Sequence, residues 1–97
     1  MINVTEKHLE TVKRILASYI PDVKVVVFGS RVQSSVKKQA DLDLAVMDTE
    51  PIPSRTMALM RTEFSESRLP FKVDVLDWNE ISGSFRKEIE KNYEVLQ

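Results

Sequence analysis

Cysteine is absent from the chain, which removes disulfide scaffolds, thiol nucleophiles and Cys-ligated zinc. A single histidine, His8, excludes a multi-histidine metal site within one chain. Any Ser-His-Asp triad would have to use that residue near the N-terminus. Neither sign of charge dominates, with 14 Lys+Arg against 15 Asp+Glu and a net of -1. Domains that coat nucleic acid by bulk charge usually carry a strong basic excess, so direct nucleic-acid binding is not expected. The longest apolar run, Val25 to Phe28, falls far short of a membrane span. The opening residues show no basic segment leading into an apolar core, so no secretory signal is read and the cytoplasm is the default location. Internal repeats, low-complexity tracts and Gly/Ser linkers are also missing, and only two glycines occur.

What is present is a chain of 97 residues with 42% hydrophobic content, enough for one compact domain. Leu9, Val12, Ile15, Leu16, Tyr19 and Ile20 recur at spacings of three and four, which predicts a helix. Asn3 or Thr5 is positioned to cap it, with Glu6 three after Asn3, and Pro21 ends it. Val23 to Phe28 is β-branched and apolar on both parities toward its end, as expected of a central strand covered on both faces. It stops at Gly29-Ser30. The stretch from Arg31 to Ala40 reads as a short helical turn plus loop. Asp41 to Met47 alternates, with Asp41 and Asp43 on one face and Leu42, Leu44 and Val46 on the other.

Pro53 or Ser54 starts a second helix carrying Met57, Met60 and Phe64, which ends before Pro70. Phe71 to Asp77 reads as a third strand, with Asp74 on the face opposite Val73 and Val75. Ser82 or Ser84 caps a last helix with Phe85 and Ile89, and Glu94 to Gln97 extends as a short strand. The order predicts an α/β or α+β fold, a small mixed sheet flanked by helices. The short connection between the first two strands favours antiparallel pairing over a crossover.

One constellation carries chemistry. Gly29 stands where a buried strand meets a loop and is followed by Ser30. Exposed N–H groups beside a hydroxyl can hold phosphate oxygens there. After ten intervening residues come Asp41 and Asp43, whose i, i+2 spacing on a strand sends both carboxylates to one side. Hard oxygen ligands so arranged suit Mg²⁺, which commonly takes one or two carboxylates plus substrate phosphates. Asp74 is a third carboxylate, suited to complete an ion and to accept a proton from an attacking hydroxyl. Bland readings stand beside these. Lys37 and Lys38 read as a solvated loop, His8 as an exposed helix residue, and Trp78 and Tyr93 as packing residues. Asp77 is a rival to Asp74, but three positions along a strand it faces the other way.

Val27-Phe28-Gly29-Ser30-Arg31, Ala40-Asp41-Leu42-Asp43-Leu44-Ala45-Val46 and Lys72-Val73-Asp74-Val75 resemble the nucleotidyltransferase superfamily of the polymerase β type. Its signature is Gly-Ser, ten residues, Asp-x-Asp, and a third Asp downstream. The length, and the ending from Asp77 to Leu96, are similar to the minimal nucleotidyltransferase group, the antitoxins of HEPN/MNT toxin–antitoxin systems. The resemblance covers nearly the whole chain and implies one such domain over residues 1–97. It implies Mg²⁺-dependent transfer of AMP from ATP to a hydroxyl, with two ions, on a tyrosine of a HEPN-type RNase toxin held in a hetero-oligomer. Gly29 and Ser30 would then hold the triphosphate, Asp41, Asp43 and Asp74 the metals, and Arg31 would contact phosphate. The loop departs from the common pattern: Gln33 stands where arginine is frequent, Ser34 where glycine is, and Ala40 where serine is. That keeps open a second reading, a catalytically weak antitoxin that neutralises its partner by contact alone.

Overall fold

A computed structural model describes residues 2–33 and 40–97. Ser34, Lys37 and Lys38, singled out above, lie outside the described residues. The elements run α1 (Glu6–Tyr19), β1 (Lys24–Phe28), a 3₁₀ turn (Gly29–Val32), β2 (Leu42–Met47), α2 (Ser54–Glu66), β3 (Val73–Asp77), a second 3₁₀ turn (Trp78–Glu80), α3 (Gly83–Lys91) and β4 (Tyr93–Val95). The strands form one mixed sheet in the order β3-β2-β1-β4. β1 pairs antiparallel with both β2 and β4, and β2 pairs parallel with β3. This is the small mixed sheet with flanking helices expected from the residue pattern.

Helices cover the two faces unequally. On one face α1 buries Val12, Ile15 and Leu16, and α2 buries Met57, Met60 and Phe64. They pack against Val25, Val27, Leu42, Leu44, Val46 and Val75. On the other face α3 buries Ile89 against Val26 and Ala45, with Phe28, Met47, Trp78 and Ile81 around them. Burying one such side chain contributes about 1.5–3 kcal/mol, so the first face carries most of the hydrophobic stabilisation. The second face is only partly covered.

The α1 cap is settled between its two candidates, and the β2 and β4 boundaries shifted, by hydrogen bonds. Of the two expected candidates, Thr5 caps α1 by accepting from the His8 N–H. Asn3 instead gives its side-chain amide to the carbonyl of Gln33. β2 begins at Leu42, whose N–H donates to the Lys72 carbonyl at 2.9 Å. Asp41 stands just before the strand and is exposed. The last strand is shifted to Tyr93–Val95 because Glu94 and its neighbours pair with Val26, Val27 and Phe28. Tyr93, read as packing, is 41% exposed on that edge strand.

Candidate active site

The site is assembled at the end of the sheet where β1 stops and β2 and β3 begin. Phe28 pairs with Asp43, and Asp43 pairs with Asp74, so the end of β1 and both carboxylates lie at one level across three strands. Gly29 follows directly, with φ of +77°. That conformation turns the chain out of β1 into the 3₁₀ turn, and residues with a Cβ adopt it at a cost. A Cβ at Gly29 would also stand 2.5 Å from the Oδ2 of Asp43. The missing side chain is therefore required twice, once by the backbone angle and once by the carboxylate that occupies its place. Ser30 follows, half-buried.

Asp43 is the electrostatic centre. Burial, then Asp74, then Asp41 push its carboxyl up to about 6 from the usual 3.8. When ionised, it adds charge to a partly desolvated spot already facing two other carboxylates. Such a site gains from a cation. A divalent ion with hard oxygen preferences fits this donor set, because three carboxylates from two adjacent strand starts supply oxygens and nothing else. Among the described residues, no group of three or more His, Asp or Glu side chains stands together at metal-binding distance. The three carboxylates thus share one end of the sheet without forming a closed cage.

Arg31, expected to contact phosphate, is bound to backbone carbonyls in this structure. Its side chain is 6% exposed. Nε and Nη2 donate to the Ala40 carbonyl at 3.1 and 2.9 Å, and Nη1 donates to the Asn3 carbonyl at 2.9 Å. The guanidinium also lies 4.5 Å from the centre of the Phe71 ring. The Asn3 N–H returns a bond to the Arg31 carbonyl at 2.7 Å. Arg31 thereby ties the far end of the 31–40 connection to the N-terminal segment and fixes Ala40, the residue before Asp41. Because Ala40 is held by its backbone carbonyl, this clamp does not depend on which side chain stands there. Composition and spacing gave no sign of this positioning role. The one available cue was an arginine next to a buried strand end, where a charge needs several acceptors.

Asp77 is separated from the site, as its parity requires. It is 3% exposed, and its carboxylate accepts from the N–H groups of Ile52 at 2.8 Å and Asn79 at 2.9 Å. It caps the second 3₁₀ turn and anchors the loop before α2.

The chain is similar to several known proteins. The family model described as "Polymerase beta, Nucleotidyltransferase" matches residues 10–97. The chain is 43% identical over 96 residues to the "Probable protein adenylyltransferase MntA" of Haemophilus influenzae, across 99% of this chain and 84% of that protein. Its fold is similar to a toxin–antitoxin structure with AMP-PNP, at a TM-score of 0.76 and 20% identity over 92% of this chain and 72% of that one. It is likewise similar to a structure of tri-AMPylated Shewanella oneidensis HEPN toxin in complex with MNT antitoxin. There the TM-score is 0.72 and the identity 18%, over 95% of this chain and 71% of that one.

Proposed function

Because the chain belongs to the polymerase β nucleotidyltransferase family and is a homologue of the protein adenylyltransferase MntA, we propose that it is the antitoxin of a HEPN/MNT pair. In this reading it transfers AMP from ATP to a tyrosine hydroxyl of a HEPN-type RNase toxin and so silences it. Residues 1–97 act as one minimal nucleotidyltransferase domain. The observation that carries the reading is the alignment of Phe28-Gly29, Asp43 and Asp74 at one level across β1, β2 and β3.

Gly29 and Ser30 hold the triphosphate with backbone N–H groups and the serine hydroxyl, beside the Asp43 carboxylate that occupies the place of a Gly29 side chain. Asp41, Asp43 and Asp74 would hold Mg²⁺, in two ions, which would supply charge neutralisation during the transfer. Asp74, the exposed member of the paired carboxylates, accepts the proton of the incoming hydroxyl. The bond from the acceptor oxygen to the α-phosphorus forms as the bond to the bridging oxygen breaks, and pyrophosphate leaves. Arg31 acts on this chemistry at one remove, by fixing the backbone that carries Asp41. The reaction draws on ATP and Mg²⁺ and is read as cytoplasmic. Among the described residues, no helix is long and apolar enough to cross a membrane.

The test is intact mass of the protein and its genetically adjacent partner after incubation with ATP and Mg²⁺, beside an Asp41→Ala/Asp43→Ala control. The expected result is a partner heavier by one or more AMP units, and no gain in the control. An unmodified partner that is nevertheless inhibited would replace this reading with neutralisation by contact alone.

A further inference from the structure

We propose that Asn3 is a positioning residue for the phosphate turn: its side-chain amide holds the carbonyl of Gln33 and thereby sets Ser30 for the triphosphate. The inference rests on the reading that Gly29 and Ser30 cradle ATP, and adds the residue that keeps the cradle in shape.

Irregular segments move unless buried contacts tie them down. Ahead of α1 the ties stand on both sides of Asn3. Ile2 and Val4 pack, partly buried, against the larger core cluster. The Val4 N–H donates to the Ile2 carbonyl at 3.0 Å, which puts Asn3 at the apex of a three-residue turn. An asparagine ahead of a helix often caps it, but Thr5 does that here. The polar groups of Asn3 go instead to the chain that follows β1. Its N–H donates to the Arg31 carbonyl at 2.7 Å, and its carbonyl accepts from Arg31 Nη1 at 2.9 Å. Its side-chain amide donates to the Gln33 carbonyl.

The turn that receives these bonds has little else to hold it. The 3₁₀ turn Gly29–Val32 is four residues long, and no side chain caps its start. Such turns have poorer hydrogen-bond geometry than an α-helix. It closes on Gln33, whose N–H donates to the Ser30 carbonyl at 3.2 Å. Gln33 is thus held at its N–H by Ser30 and at its carbonyl by Asn3. Ser30 is bracketed as a result. On one side Gly29 abuts the Asp43 carboxylate, and on the other Gln33 is pinned from the N-terminal segment. A turn fixed before its ligand arrives loses less freedom on binding it.

The two bonds to Arg31 use the backbone of Asn3 and survive a change of side chain. Only the bond to Gln33 needs the amide. Aspartate keeps the shape of asparagine but, ionised, has no donor, and it would set a charge against the Gln33 carbonyl.

Asn3→Ala and Asn3→Asp test this in the full chain with its partner. Each should raise KM for ATP, and weaken AMP-PNP binding in equilibrium dialysis, by about fivefold or more. The kcat at saturating ATP should change less than KM. Asn3→Gln keeps the amide on a longer arm and should recover part of the affinity. Hydrogen exchange of the Gln33 N–H, followed by NMR well below each melting temperature, should quicken in the Ala and Asp variants. Lower melting temperatures with unchanged KM, AMP-PNP affinity and Gln33 exchange would overturn the assignment, as would wild-type values throughout. Both results leave the transferase reading intact. A wild type that binds AMP-PNP but transfers no AMP would overturn the transferase reading, and dialysis and exchange would still decide the role of Asn3.

Discussion

A Cβ on Gly29 would stand 2.5 Å from the Oδ2 of Asp43. The end of one strand and the carboxylate of the next are in contact because one residue has no side chain, so the proposed phosphate cradle and the proposed metal ligand are built as a unit. Gly29→Ala should cost about 1–2 kcal/mol of stability through the positive φ alone. Asp43 would also have to move, so AMP transfer should fall by much more than that stability loss explains. Urea titration beside the mass assay separates the two effects.

Asp43 titrates with a raised value, and the sign of its contribution follows. Its folded value of about 6 lies above the ordinary 3.8. The folded state therefore binds more protons than the unfolded state between those values. This favourable contribution is fully present below about pH 4 and is lost as pH rises through 6. In EDTA, the gap in melting temperature between Asp43→Asn and wild type should widen in favour of Asn from pH 5 to pH 8. The same variant should lose AMP transfer by orders of magnitude, because a neutral amide cannot replace the carboxylate at the charged centre. Equal melting temperatures for the two proteins at pH 8 would count against the raised value.

Magnesium should reverse that dependence. An ion bound among Asp41, Asp43 and Asp74 favours their ionised forms, so its affinity rises as Asp43 loses its proton. Added Mg²⁺ should raise the melting temperature more at pH 8 than at pH 5. The increment should vanish in Asp41→Ala/Asp43→Ala.

Arg31 and Asp77 are the two buried charged side chains among the described residues, and both act on backbone. Arg31→Met should leave the Ala40 and Asn3 carbonyls without their donors, at about 1–3 kcal/mol for each buried group left unsatisfied. Arg31→Lys should rescue only part of this, since an ammonium lacks the planar fork that reaches both carbonyls. In the variant that stays folded, kcat should fall while AMP-PNP affinity changes little. A direct phosphate contact would instead show as lost affinity.

Asp77→Asn should destabilise the fold through the Ile52 and Asn79 N–H groups, by about 1–2 kcal/mol. Transfer per folded molecule should be unchanged. Denaturation curves and activity normalised to folded protein check this together.

The helices and strands were legible from periodicity because burial is local in its demands. Val12, Ile15 and Leu16 at helical spacing, and Val25 to Val27 on both parities, face the core wherever the elements are placed. The carboxylate pair and the Gly-Ser turn were legible because their chemistry depends on short spacings. The start of β2 at Leu42 was not, because it is decided by the carbonyl of Lys72, thirty residues away. The capping role of Thr5 rather than Asn3 depended likewise on where Gln33 would lie. The places of Ala40, Asn3 and Phe71 around the Arg31 guanidinium were likewise decided by folding. The same holds for the level shared by Phe28, Asp43 and Asp74. Residue types along the chain decided which groups were available for phosphate, metal and proton. The strand order β3-β2-β1-β4 decided their sequence in space.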